Sequence, residues 1–184
     1  MNILLALAPF IAFAFVDRFL GSFEGLISGT VAAAVLLLRD VLAHRPLKIL
    51  EIGTLILFAG LTLYVALSDV SLSVMAVRIM VDTGLLLIVL ASILLRRPFT
   101  LQYAKEGVSP EVASSTEFLR TNYVISGAWA AAFAVIVVAD ILLFAAPSVS
   151  SHFGVWIIIL ALVGAVKFTA WYPKRARAAH PASF

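Results

Sequence analysis

Residues 72–95, LSVMAVRIMVDTGLLLIVLASILL, decide the reading of this chain. These 24 residues are enough to cross a bilayer core with some tilt. Arg78 and Asp82 lie inside the stretch, four apart and therefore on one helical face. The run stops at Arg96-Arg97-Pro98, a basic end followed by a residue that a helix interior disfavours. Charged groups within a membrane helix are costly, so this face is expected to point at protein or water and not at lipid.

The rest of the chain repeats the theme. Of 184 residues, 63% are hydrophobic and only 12% are charged, and the mean hydropathy is +1.11. A soluble domain is nearer half apolar and a quarter charged, so the composition places the chain in the membrane class. There are no cysteines, which excludes disulfides, thiolate metal sites and a cysteine nucleophile. The long apolar runs argue against a solvated basic patch for nucleic acid.

Taken in order, the expected spans lie near residues 2–20, 22–38, 49–67, 72–95, 123–146 and 153–172. The first run contains Pro9 and ends at Asp17-Arg18. It has no lysine or arginine ahead of it, so a membrane helix is preferred to a cleaved signal peptide. Gly25 and Gly29 in the second span have the GxxxG spacing that lets helices approach closely. The segment 96–122 is the longest polar stretch. It suggests a brief helical run around Leu101, Ala104 and Lys105, broken by Gly107 and Pro110. A lead-in helix is expected from Ser115 or Thr116, with Glu117 in its first turn. Residues 173–184 form a basic tail that is expected to be disordered.

Lysine and arginine outside the spans set the orientation. Arg39, Arg45, Lys48, Arg96, Arg97, Lys105, Arg120, Lys174, Arg175 and Arg177 fall on one side, and Arg18 alone on the other. The expected fold is an all-α polytopic transmembrane helix bundle of about six spans. It occupies residues 1–172 as one domain, with both termini in the cytoplasm.

Glu51, Arg78, Asp82, Asp140 and Lys167 form the candidate intramembrane polar site. At about 1.5 Å per residue, Arg78 and Asp140 both lie roughly 9 Å below the outer end of their helices, and Asp82 lies near mid-membrane. Lys167 is roughly 7 Å inside the cytoplasmic face and close in level to Glu51. Opposite charges therefore fall at matching depths, Arg78 with Asp140 or Asp82 and Lys167 with Glu51. Such pairs either fix helix register or line an aqueous path with Asp82 as a proton or cation site. The candidate cytoplasmic contact surface is Arg96, Arg97, Gln102, Tyr103, Lys105, Glu106 and Arg120. It either lies on anionic headgroups or docks a partner.

No nucleotide-binding loop, nucleophile elbow or helical histidine pair occurs, so neither cofactor nor metal is expected. The stretches APFIAFAFVDRFLGSFEGLISGTVAAAVLL (8–37), ILFAGLTLYV (56–65) and DTGLLLIVLASILLRRPFTLQ (82–102) together resemble the bacterial intracellular septation protein A family. The sharper elements are FAGLTLYV and RRPF; WAAAFAVIVVADILLF (129–144) fits less closely. The resemblance implies a small multi-spanning inner-membrane protein of cell-envelope integrity and septum formation that works beside other envelope proteins. It implies no catalytic residue.

Three functions stay open. One is a non-enzymatic protein acting by association with the lipid bilayer, envelope membrane proteins or further copies of itself. Another is a small proton- or ion-coupled transporter or channel using Asp82 and Arg78. The third is a lipid-modifying enzyme with Glu106, Glu111 or Asp82 as acid or base.

Overall fold

In a computed structural model, residues 3–68, 72–146 and 151–179 are described, and all regular structure among them is helical. The helices are α1 (Ile3–Ala6), α2 (Ala8–Leu20), α3 (Ser22–Leu42), α4 (Ile49–Leu67), α5 (Val74–Leu94), α6 (Phe99–Ala104), α7 (Pro110–Ala113), α8 (Thr116–Ala145) and α9 (Ser151–Ala179). A 3₁₀ turn, Lys105–Gly107, joins α6 towards α7. Five helices are long and apolar enough to cross a membrane: α3, α4, α5, α8 and the Gly154–Ala176 part of α9.

The first expected span is the one that changes shape. The chain breaks at Leu7, and α2 starts afresh with Pro9 in its first turn. Proline has no N–H to donate and its ring crowds the preceding turn, so it suits a helix start and not an interior. The remaining 13 residues of α2 reach only about 20 Å, short of a hydrocarbon core of about 30 Å. The expected spans 49–67 and 72–95 coincide with α4 and α5 to within two residues. The lead-in helix and the span 123–146 fuse into α8, because nothing in Thr116–Ala145 interrupts a helix. Ser115 caps it, accepting the Phe118 N–H at 3.2 Å. The tail also differs from expectation. The α9 helix continues through Pro173 to Ala179, and the Arg175 guanidinium lies 5.2 Å from the Trp171 ring centre. The turns at 69–71 and 147–150, and residues 180–184 with His180, lie outside the described residues.

The chain forms two compact units, Asn2–Ile88 and Val89–Phe184. In the first, α2 packs on α3 and α3 on α4. Its core is Phe13, Leu26, Phe58, Val77 and Val81. Phe58 is fully buried, with Phe10 and Phe13 ring centres 5.1 and 5.8 Å away. The two glycines of the GxxxG pair serve different neighbours. A Cβ on Gly25 would stand 3.0 Å from Asp17 Cβ, and one on Gly29 would stand 2.6 Å from the Phe58 ring. Gly29→Ala is therefore expected to destabilise this unit by about 1–3 kcal/mol through overpacking, read as a lower thermal midpoint in detergent. Gly60→Ala is the control, since a Cβ there meets nothing within 4 Å. At the α2–α3 turn, Gly21 has φ +116°, a conformation that side chains rarely adopt, and Ser22 Oγ donates to buried Asp17 Oδ1 at 2.6 Å.

In the second unit α8 carries the core. Trp129 is buried between Phe133, 5.5 Å away, and Phe99, 6.4 Å away. Its indole N–H donates to Thr169 Oγ1 at 2.9 Å, which ties α8 to α9. An indole buried in an apolar layer needs such an acceptor.

Candidate functional site

The α3–α4 connection ends α3 with a Schellman turn. The Arg45 N–H donates to Asp40 O at 2.9 Å and the His44 N–H to Val41 O at 3.0 Å, with His44 left-handed at φ 52°. Pro46 follows, and the chain returns in extended form so that Lys48 precedes α4. This brings Lys48 back over the last turn of α3. Its Nζ lies 3.3 Å from Asp40 Oδ2 and 3.4 Å from Glu51 Oε1. The Glu51 Oε2 accepts the Lys48 backbone N–H at 3.4 Å. Arg39 closes the outer side, its guanidinium 2.7 Å from Asp40 Oδ1.

Asp40, Lys48 and Glu51 are all buried, while the Arg39 side chain is about two-fifths exposed. Two cations face two carboxylates, so the cluster is neutral as a whole. Buried charges persist only when paired and hydrogen-bonded in this way. The lysine is enclosed by its two carboxylates and has no role open to it as a base. The cluster acts as a lock between α3 and α4. One turn further along α4, Thr54 is buried and its hydroxyl has no hydrogen-bond partner among the described residues.

The α5–α6 connection has the same backbone. The Arg97 N–H donates to Ser92 O at 2.9 Å and the Arg96 N–H to Ile93 O at 3.0 Å, with Arg96 at φ 57°. Ser92 Oγ donates to Val89 O at 2.7 Å and accepts the Phe99 N–H at 3.2 Å, which sets the entry into α6. From α6, Thr100 Oγ1 reaches Ser126 Oγ at 2.8 Å and Asn122 O at 2.9 Å. Phe99, Thr100, Leu101 and Tyr103 are buried, so α6 is fastened to α8 from beneath.

Above that base, Arg96, Arg97, Lys105, Glu106, Glu111 and Arg120 are exposed. Gln102 is half-buried and donates to Arg97 O at 3.1 Å. The Ser109 hydroxyl beside Glu111 holds its carboxyl below the usual carboxylate range. Tyr103 was expected on this surface and lies in the buried layer instead. Its place on the inward face of a one-and-a-half-turn helix puts it beside the α8 packing and not in solvent.

The five intramembrane candidates do not form one group within a single unit. Glu51, Arg78 and Asp82 belong to the first unit, Asp140 and Lys167 to the second. Glu51 is part of the lock with Lys48. Arg78 and Asp82 sit on α5, both half-buried. Asp140 is fully buried on α8, and neither carboxylate oxygen has a hydrogen-bond partner among the described residues. Lys167 is exposed on α9, beside Gly164, Phe168, Trp171 and Lys174 along an open groove of about 620 Å³. Among the described residues no three His, Cys, Asp or Glu side chains gather as metal ligands.

Sequence reasoning missed Asp40 and Lys48, reading residues 39–48 as a short basic loop around Pro46. The available signal was the spacing, a carboxylate at the end of an apolar run and a Lys-x-x-Glu at the start of the next. Comparison with known proteins finds no family model, no curated protein and no solved structure that matches this chain.

Proposed function

We propose that this chain is a non-enzymatic integral protein of the bacterial inner membrane that acts by association in cell-envelope or septum maintenance. The observation that carries the reading is the built platform of residues 96–122. Its lower layer is fastened to α8 through Thr100 and Ser126, and its upper layer presents Lys105, Glu106 and Arg120 to solvent. A connector with no task needs no such base, since short helix connections suffice to reverse the chain. The interspersed signs suit a polar protein surface, where complementary charge sets partner choice and encounter rate. The resemblance to septation protein A proteins suggests envelope membrane proteins as the partners.

Photo-crosslinking amino acids placed in cells at Lys105, Arg120 and, as a lipid-facing control, Val135 test this. Discrete protein adducts are expected at 105 and 120, the adduct at 105 disappearing with Arg120→Glu and the adduct at 120 with Lys105→Glu. Adducts of equal yield at Val135, or none at the platform, would contradict it.

A second reading, ion-coupled transport, is favoured by one observation, the unpartnered buried carboxylate of Asp140. Ionisable groups within membrane helices commonly mark ion or proton routes. A pH- or ion-dependent flux in proteoliposomes that Asp140→Asn removes is its expected result.

A further inference from the structure

Helices α3 and α5 have the same length, 21 residues, and are displaced by 52 residues from 22 to 74 and from 42 to 94. The same displacement carries residues 40–51, DVLAHRPLKILE, onto residues 92–103, SILLRRPFTLQY. Buried positions coincide under it: Gly25 with Val77, Gly29 with Val81, Ala33 with Leu85, Asp40 with Ser92, Lys48 with Thr100. In both copies the buried side chain at the end of the first helix bonds the start of the next, Asp40 to the Lys48 ammonium and Ser92 to the Phe99 N–H.

One shared feature does not serve packing. Both Schellman turns place a basic residue at the left-handed position, His44 at φ 52° and Arg96 at φ 57°. Glycine or asparagine is the usual occupant, because a Cβ there is strained. Strain retained twice at an exposed position points to a use for the side chain. Each turn continues with an exposed arginine, Arg45 or Arg97, and a proline. Neither of these guanidiniums pairs with a carboxylate among the described residues, in contrast to Arg39. Beside them the leucines at each helix end are bare, Leu42 at 72% exposure and Leu94 at 81%, with Leu95 just beyond α5 at 66%.

We propose that the two corners are duplicate sites for the headgroup of an anionic phospholipid. His44 with Arg45, and Arg96 with Arg97, take the phosphate, and the adjoining leucines enter the acyl boundary. Basic groups at the cytoplasmic ends of membrane helices meet anionic lipid, and the lysine and arginine distribution places both corners on that side. A free phosphate would leave the leucines without a partner, so the occupant is lipid. In this assignment Arg96 and Arg97 belong to the membrane, and Lys105, Glu106 and Arg120 remain for protein association.

The test uses thermal midpoints of the full chain in nanodiscs of phosphatidylcholine with and without phosphatidylglycerol, and in detergent with inorganic phosphate. Phosphatidylglycerol is expected to raise the wild-type midpoint, and Arg45→Gln with Arg97→Gln to remove most of that increment. His44→Gly with Arg96→Gly relieves the strained turns. It is expected to raise the midpoint in pure phosphatidylcholine and to shrink the increment from phosphatidylglycerol. An unchanged increment in the glycine variant would make the turns ordinary caps and overturn the proposal. An increment reproduced by inorganic phosphate would overturn the lipid assignment.

Discussion

Lys48→Met is expected to lower the unfolding free energy by about 3–5 kcal/mol, the largest loss we foresee from a single substitution. The methionine fills much the same volume, so packing is nearly kept. What goes is the ammonium that lies 3.3 Å from Asp40 and 3.4 Å from Glu51. Both carboxylates are buried, and Glu51 would then lose the ammonium beside it. Asp40 would keep only Arg39. Removing the charges together should recover most of the loss. Lys48→Met combined with Asp40→Asn and Glu51→Gln is expected to be far closer to wild type than Lys48→Met alone. Arg39→Gln, at the half-exposed rim of the same cluster, is expected to cost no more than about 1 kcal/mol. Reversible unfolding in mixed micelles gives all four values. Equal losses for Lys48→Met and Arg39→Gln would show that the cluster is solvated and not a lock.

Asp140→Val is expected to act in the opposite direction, raising stability by about 1–4 kcal/mol. A fully buried carboxylate whose two oxygens lack partners is a burden on the fold wherever it stands. Its neighbours on α8, Ile136, Val137 and Ala139, are buried and apolar, so a valine suits the helix. A side chain that burdens the fold is a candidate for a task, because stability and function trade against one another at such sites. The paired outcome decides between readings. Higher stability with loss of an ion-dependent flux supports transport, while higher stability with undiminished crosslinks at Lys105 and Arg120 supports association. A lower midpoint for Asp140→Val would mean that the carboxylate is satisfied by a group bound in the membrane.

Helix period and apolar length made the five long helices legible, and α4 falls on its expected residues. The N-terminal end was less legible in detail. Composition counts residues 2–20 as one run, whereas a proline at position 9 resets the helix at Ala8. The α8 start was legible because a cap has a local signature, Ser115 ahead of Glu117. The lock was not, because a charge count treats every loop lysine as solvated. Lys48 is buried only because the α3–α4 turn folds it back over Asp40, and that reversal depends on a left-handed histidine that composition does not reveal. Depth along the helix puts Asp140 at the level of Arg78, and the two residues belong to different units. The displaced repeat of α3 and α5 was visible in the residue order alone. Its sign is His-Arg-Pro at 44–46 against Arg-Arg-Pro at 96–98, which chain-wide apolarity masks.

The platform can serve an intracellular partner only if it faces the cytoplasm. The absence of native cysteine makes this directly measurable with Lys105→Cys and His44→Cys as single labelling sites. A membrane-impermeant maleimide is applied to spheroplasts before and after permeabilisation. Both positions are expected to label only after permeabilisation. Labelling of Lys105→Cys on intact spheroplasts would place the platform outside and contradict the orientation on which association and lipid binding both depend.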